Sequence, residues 1–161
     1  MRSPKFEFRA AIKSDIDAIF DLYEEIQSVH VDGEPEFCRE AKRDEYFDRF
    51  FDGIFKDPEQ HIVLACVNTT IVGFCQYFIG FQAESLVRRK KRIAYVNGLV
   101  VSKKFRRQGC GIALLEFVKS EAKKLGIASI GLDVWSFNTA AKACFSRAGF
   151  EVKQEQMWLS M

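Results

Sequence analysis

No stretch of this 161-residue chain approaches the roughly 20 consecutive apolar residues of a membrane-spanning helix. Its opening residues, Met-Arg-Ser-Pro-Lys-Phe-Glu-Phe, hold no apolar run of the kind a signal peptide needs. A cytoplasmic protein with no membrane partner is therefore expected. Charge of one sign is also scarce: 24 Lys and Arg against 22 Asp and Glu leave a net charge of +2. That excess is too small to build the basic surface of a nucleic-acid-binding protein, so no such partner is expected. The five cysteines, Cys38, Cys66, Cys75, Cys110 and Cys144, are odd in number and lack Cys-x-x-Cys spacing. This pattern fits reduced thiols rather than a disulfide frame or a zinc site, and no metal is expected. There is no internal repeat, linker or low-complexity segment, and the length suits one domain, residues 1–161, with a proper core.

What the chain does have is concentrated between Leu99 and Leu115, Leu-Val-Val-Ser-Lys-Lys-Phe-Arg-Arg-Gln-Gly-Cys-Gly-Ile-Ala-Leu-Leu. Leu99, Val100 and Val101 read as the end of a buried strand, and Ile112, Leu115, Val118 and Ala122 recur at helical spacing. Between them lies a cationic, glycine-bearing turn. The first N–H groups of a helix have no internal partner and carry partial positive charge, so a polyanion gains several hydrogen bonds there. Gly109 and Gly111 would let that backbone approach a phosphate closely, and Arg106 and Arg107 add fork-shaped donors. Neither G-x-G-x-x-G nor G-x-x-x-x-G-K-S/T is present, which removes the dinucleotide and P-loop readings.

Along the chain, Phe6 to Arg9 alternates as a short strand. Ser14-Asp15-Ile16-Asp17 has the form of a capping box with Asp in place of Glu, and Ile16, Ile19, Phe20, Tyr23 and Ile26 predict a helix ending near Ser28. His30 to Glu40 is irregular and acidic and predicts a loop. Tyr46, Phe47, Phe50, Phe51, Ile54 and Phe55 predict a second amphipathic helix over Lys42 to Phe55. His61 to Val67 and Thr70 to Phe81 predict a hairpin turning at Asn68-Thr69. Arg88 to Arg92 is a run of positive charge before a strand over Ile93 to Val101; it suits a solvated turn, an acidic partner or a cofactor phosphate. After the glycine turn and its helix come a Leu125-Gly126 C-cap, a strand over Ile130 to Trp135, a helix capped by Asn138 and ending near Gly149, and a last strand over Phe150 to Leu159. Hairpins in the middle and strand–helix alternation late predict a mixed sheet with helices on both faces.

Arg106-Arg107-Gln108-Gly109-Cys110-Gly111 fits Arg/Gln-x-x-Gly-x-Gly/Ala, and Leu132 to Phe150 reads strand, Asn, helix, Gly-Phe about thirty residues later. Together they resemble the two ordered signatures of the GNAT superfamily of N-acetyltransferases. The run Asp133 to Asn138 is most similar to poorly characterised bacterial members. The resemblance implies an α/β (α+β) fold: a mixed, mostly antiparallel sheet of six to seven strands, splayed where acetyl-CoA binds. By the same match the backbone of Leu99, Val100 and Val101 would hold the pantetheine arm. Arg106, Arg107, Gln108, Gly109, Cys110, Gly111 and Ile112 would hold the pyrophosphate. Asn138 would contact pantetheine, cap its helix, or do both.

The implied reaction moves an acetyl group to a primary amine of a small molecule or peptide. An amine of pKa about 10.4 must lose a proton first. Of the two positions at which relatives carry a base, Asn97 cannot serve and Asp133 can; Asp133 is otherwise a strand carboxylate satisfied by a neighbour. The position of the family's acidic Tyr is Phe145, beside the expected thiol, which leaves Tyr95, His30 and Ser146 as substitutes. The acceptor would enter beside His30, Asp32 and Glu34, whose acidic surroundings favour a cation. Phe145 and Asn97 also keep open a non-catalytic acyl-CoA-binding module, and a homodimer is a further candidate arrangement.

Overall fold

A computed structural model describes residues 4–161. β2 (Gln60–Val67) shows how the layers arise. Its side chains alternate, so Ile62, Leu64 and Cys66 enter one core while Val63 and Ala65 enter the other. On the first face α1 (Ile16–Gly33) and α2 (Glu45–Lys56) contribute Ile19, Leu22, Phe47, Phe51 and Ile54. On the second, α3 (Cys110–Lys124) and α4 (Thr139–Arg147) contribute Leu114, Leu115, Val118 and Phe145. The sheet between them runs in the order β1-β2-β3-β4-β5, with β1 (Glu7–Ala10), β3 (Thr70–Gln82), β4 (Lys91–Val101) and β5 (Ile130–Leu132). Pairing is antiparallel as far as β4, and β4–β5 is parallel. This is the mixed, mostly antiparallel sheet with helices on both faces that the sequence implies.

Several expectations need correction. The sheet has five strands among the described residues, not six or seven, because 150–161 forms no strand. β5 offers an edge only three residues long, too short a template for a ten-residue partner. β5 itself stops at Leu132 instead of Trp135, because the following residues are drawn into an aromatic cluster described below. Helix α1 runs on to Gly33, so His30 and Asp32 sit in its last turn rather than in a loop, and Glu34 N–H closes the helix on the His30 carbonyl at 2.8 Å. Ser14 caps nothing. Asp15 follows a single 3-10 turn (Lys13–Asp15) and accepts from Ile12 N–H at 2.9 Å and from both Arg9 terminal nitrogens at 2.7 and 2.8 Å. The Asn68-Thr69 hairpin stands as expected, and α2 is present but starts three residues later than expected, at Glu45, where the Asp44 side chain caps it by accepting from Phe47 N–H.

Candidate active site

The decisive irregularity is in β4. Gln76 of β3 pairs with Gly98 and Tyr77 with Val96, so Asn97 is an extra, unpaired residue. Such a bulge bends its strand and ends pairing nearby. β4 pairs with β5 only through Ala94, Tyr95 and Val96, and from Asn97 to Val101 its outer edge is free of β5. The free edge that a splay requires is therefore present, and it begins at the bulge. Leu99 and Val101 pack toward α3 and α4, and Val100, 3% exposed, packs toward α1 and α2. Val100 is closed off and Leu99 and Val101 are partly buried, so the free edge here is chiefly backbone.

Beyond the splay, a 3-10 turn (Lys103–Phe105) leads into α3. α2 is capped by Asp44 and α4 by Asn138, but no side chain caps α3. Its cap position, Gly109, has φ +90, a conformation that suits glycine, and a Cβ there would meet nothing within 4 Å. Gly111 has a different task from the one expected: its Cβ would lie 3.3 Å from Cys144 Sγ, so it lets α3 approach α4 rather than a ligand. Cys110 is buried in the core. The two arginines differ as well. Arg107, at φ 58, is exposed and free, whereas Arg106 Nε donates to the Val101 carbonyl at 2.9 Å and one buried terminal nitrogen has no hydrogen-bond partner. Gln108 ties the turn internally through the Lys104 carbonyl at 2.9 Å. Glu25 of α1, which the sequence gave no reason to single out, accepts from Lys103 N–H at 2.8 Å and the Ser102 hydroxyl at 3.2 Å and lies 3.9 Å from the Arg106 guanidinium.

Asp133 lies just past the end of β5, exposed, so it is not the buried strand carboxylate that was expected. Tyr95 pairs with Gly131, two residues before Asp133, which brings the Asp133 carboxylate near enough to act on the phenol. Burial first, and that carboxylate second, push the phenol up to about 12. The Tyr95 ring lies flat against Gly131, where a Cβ would come within 2.8 Å of two ring carbons. Asn138 Oδ1 is committed to Ala141 N–H at 3.0 Å, the capping role. Phe145 is 9% exposed and packs edge-on to Phe150 at 6.1 Å, a core position rather than a wall of an open groove. Burial pushes the Cys110 thiol up to about 11 and raises Cys144 as well, so neither is a ready nucleophile. His30 is half-buried against Phe137, and desolvation lowers its pKa. Ser146 is exposed on α4, and Asp32 and Glu34 lie at the end of α1.

The described residues contain no helix long and apolar enough to cross a membrane. A profile of the acetyltransferase (GNAT) family matches residues 17–150. The chain belongs to that family. Membership brings acyl transfer as the reaction class. In sequence, the chain is 28% identical over 143 residues to an uncharacterized N-acetyltransferase of Bacillus subtilis (strain 168), YhfO, covering 89% of this chain and 88% of that one. In structure, the GNAT chain resembles a tetramutant of the BH1408 protein from Bacillus halodurans, with a TM-score of 0.88 at 18% identity over 96% of this chain and 99% of that one. It also resembles the aminoglycoside N-acetyltransferase AAC(6')-Iy in complex with CoA, with a TM-score of 0.77 at 16% identity over 99% and 97% of the two chains. These structural likenesses speak to the shared fold.

Proposed function

We propose that this GNAT protein transfers an acetyl group from acetyl-CoA to a primary amine. The observation that carries the proposal is the free edge of β4 after the Asn97 bulge, set directly before an uncapped, glycine-started α3. Unpaired strand groups suit the amides of a pantetheine arm, and the first N–H groups of α3 with Arg107 suit a pyrophosphate. Arg106 and Glu25 would act behind them by holding the turn in shape. When bound, acetyl-CoA supplies a thioester whose C–S bond breaks as the amine nitrogen takes the acetyl group.

Asp133, directly or through a water, takes the proton that the ammonium group must lose before its nitrogen can attack, and the departing CoA thiolate takes the second amine proton as the C–S bond breaks. Tyr95, still protonated at neutral pH with its pKa near 12, orients that carboxylate by donating to it. The raised thiols favour direct transfer over an acetyl-cysteine. Positioning two reactants side by side provides much of the acceleration without a dedicated acid, consistent with the absence of a hydroxyl at Phe145.

The test is release of free thiol from acetyl-CoA across a panel of primary amines. Asp133→Asn is expected to lose about 10²–10⁴ in turnover with acetyl-CoA affinity unchanged, and the loss should shrink as pH rises and more amine is already neutral. Normal turnover of that variant at neutral pH would remove Asp133 from the chemistry. The second reading, an acyl-CoA-binding module without transfer, draws on Phe145 and Asn97 standing where relatives carry acid and base. Saturable acetyl-CoA binding with no thiol release from any amine would establish it instead.

A further inference from the structure

Both tryptophans of the chain, Trp135 and Trp158, lie in one surface cluster. Phe37 bridges them, with ring centroids 6.3 Å from Trp135 and 5.4 Å from Trp158. Phe137 stacks with Trp135 at 6.3 Å, and His30 meets Phe137 edge-on at 6.3 Å. These rings come from four separate parts of the chain: the end of α1, the α1–α2 connection, the β5–α4 connection and the C-terminal segment. Phe37, Trp135 and Trp158 are 49%, 37% and 68% exposed, so the assembled surface faces outward. A contiguous exposed patch of large aromatic side chains marks a binding surface more than a structural one.

Its position and charge say what it binds. Trp135 is two residues beyond Asp133, and Phe137 packs so closely on Gly33 that a Cβ there would overlap its ring, which draws the end of α1 against the Asp133 segment. The segments that carry the rings also carry Asp32, Glu34, Glu36 and Asp133; of their cations, Arg39 lies over the Tyr46 ring, Arg43 pairs with Asp17 and Asp48, and Lys153 pairs with Glu151, while Arg88 donates to Gln154 of the C-terminal segment. An occupant that matches has a flat apolar body for the rings and one positive charge for the carboxylates. A linear polyamine offers the carboxylates its charges but presents no flat apolar face to the rings.

We infer that the acceptor is an arylalkylamine: a primary amine joined by a short aliphatic link to an aromatic ring, with the ring held by Phe37, Trp135 and Trp158 and the nitrogen directed to Asp133. This rests on the acetyl-transfer reading above and adds the substrate class.

The experiment compares 2-phenylethylamine with cadaverine on the full chain. Trp fluorescence is read with CoA present, and thiol release is read with acetyl-CoA present; because both tryptophans are in the cluster, fluorescence reports binding without turnover. The expected result is a saturable fluorescence change with 2-phenylethylamine but not cadaverine, and a kcat/KM at least about tenfold higher for the aromatic amine. Phe37→Ala and Trp158→Ala, each checked for an unchanged melting transition, should reduce that ratio about tenfold. Equal kcat/KM for the two amines overturns the inference and leaves acetyl transfer standing. Saturable fluorescence with no thiol release from either amine, nor from any amine of the panel above, overturns acetyl transfer and leaves the aromatic site standing. If neither amine is preferred and sedimentation shows a dimer that Phe37→Ala dissociates, the cluster is a contact between copies of this chain and the inference is wrong.

Discussion

Replacing Gly131 by Ala tests the contact that joins β5 to the proposed chemistry. The new Cβ would lie 2.8 Å from Cδ2 and Cε2 of Tyr95. Carbon atoms rest at about 3.5–4.0 Å, so the ring or the strand must give by roughly 0.7–1.2 Å. β5 is held by three residue pairs at the edge of the sheet, so it is the softer partner. Either movement separates the Tyr95 hydroxyl from Asp133. Overpacking of this kind costs about 1–3 kcal/mol, and in a chain of this size each kcal/mol lowers Tm by about 2–4 °C, so Tm should fall by roughly 2–12 °C. A displacement near 1 Å at a reacting centre costs up to about 10²-fold in rate. At saturating acetyl-CoA and amine, thiol release by Gly131→Ala should therefore drop about 10–100-fold, with KM for acetyl-CoA unchanged because α3 is untouched. Tyr95→Phe keeps the ring and removes the hydroxyl, and if both changes act through that hydroxyl the double variant will be no slower than the worse single one. A folded Gly131→Ala protein with undiminished kcat would refute the role given to Tyr95 and Asp133.

The remaining predictions concern what holds the site in place. Asp15→Asn removes a carboxylate that serves Ile12 N–H and Arg9; because Arg9 is nearly half exposed, the cost should be about 1 kcal/mol. The hydrogen bond from Arg9, more than any other contact, lowers the Asp15 pKa, so this stabilisation is complete above the ordinary carboxylate range and is lost as pH falls through the depressed value. The Tm difference between wild type and variant should begin to narrow below about pH 4 and close only below the depressed value. Burial lowers both histidines of the chain, His30 and His61, so the unfolded state takes up protons first as the solution is acidified. Stability should be full above about pH 6.5 and decline below it, by at most about 1.4 kcal/mol per pH unit per histidine, and the slope should vanish in His30→Gln/His61→Gln. Glu25→Ala frees the Ser102–Lys103 turn and should weaken acetyl-CoA binding about tenfold by calorimetry; unchanged affinity would make Glu25 a bystander.

How much of this was readable beforehand depended on whether the signal was local. The α2 stripe and Asn68-Thr69 between two β-rich runs are short-range patterns, and they located the β2–β3 hairpin almost residue for residue and the end of α2 to within one residue. The order strand, basic turn, glycine, helix likewise located the start of α3. The failures came where distant contacts outweighed local pattern. Leu132 and Val134 alternate as a strand would, but Trp135 and Phe137 are drawn to Phe37 and His30, and β5 ends early. Phe150 to Leu159 has strand composition without an edge long enough to pair with. The Asn97 bulge has one local signal, a glycine at position 98 inside a strand. Glu25 had none, because a glutamate on a helix surface carries no mark of the loop it will meet. Tyr95 and Asp133, far apart in sequence, meet only through the parallel register of β4 and β5.

Acetyl-CoA held at the free edge of β4 and the start of α3 is the premise of the proposed reaction, and calorimetric titration of acetyl-CoA into wild type and Gly109→Val tests it most directly. Valine at φ +90 is strained, at a cost of about 1–3 kcal/mol, but meets no neighbour within 4 Å, so the variant should still fold and melt cooperatively. The predicted result is one-site saturable binding to wild type and none to the folded variant, whose valine would occupy the space next to the first N–H groups of α3. Equal binding to both proteins, or no binding to wild type, would contradict the account.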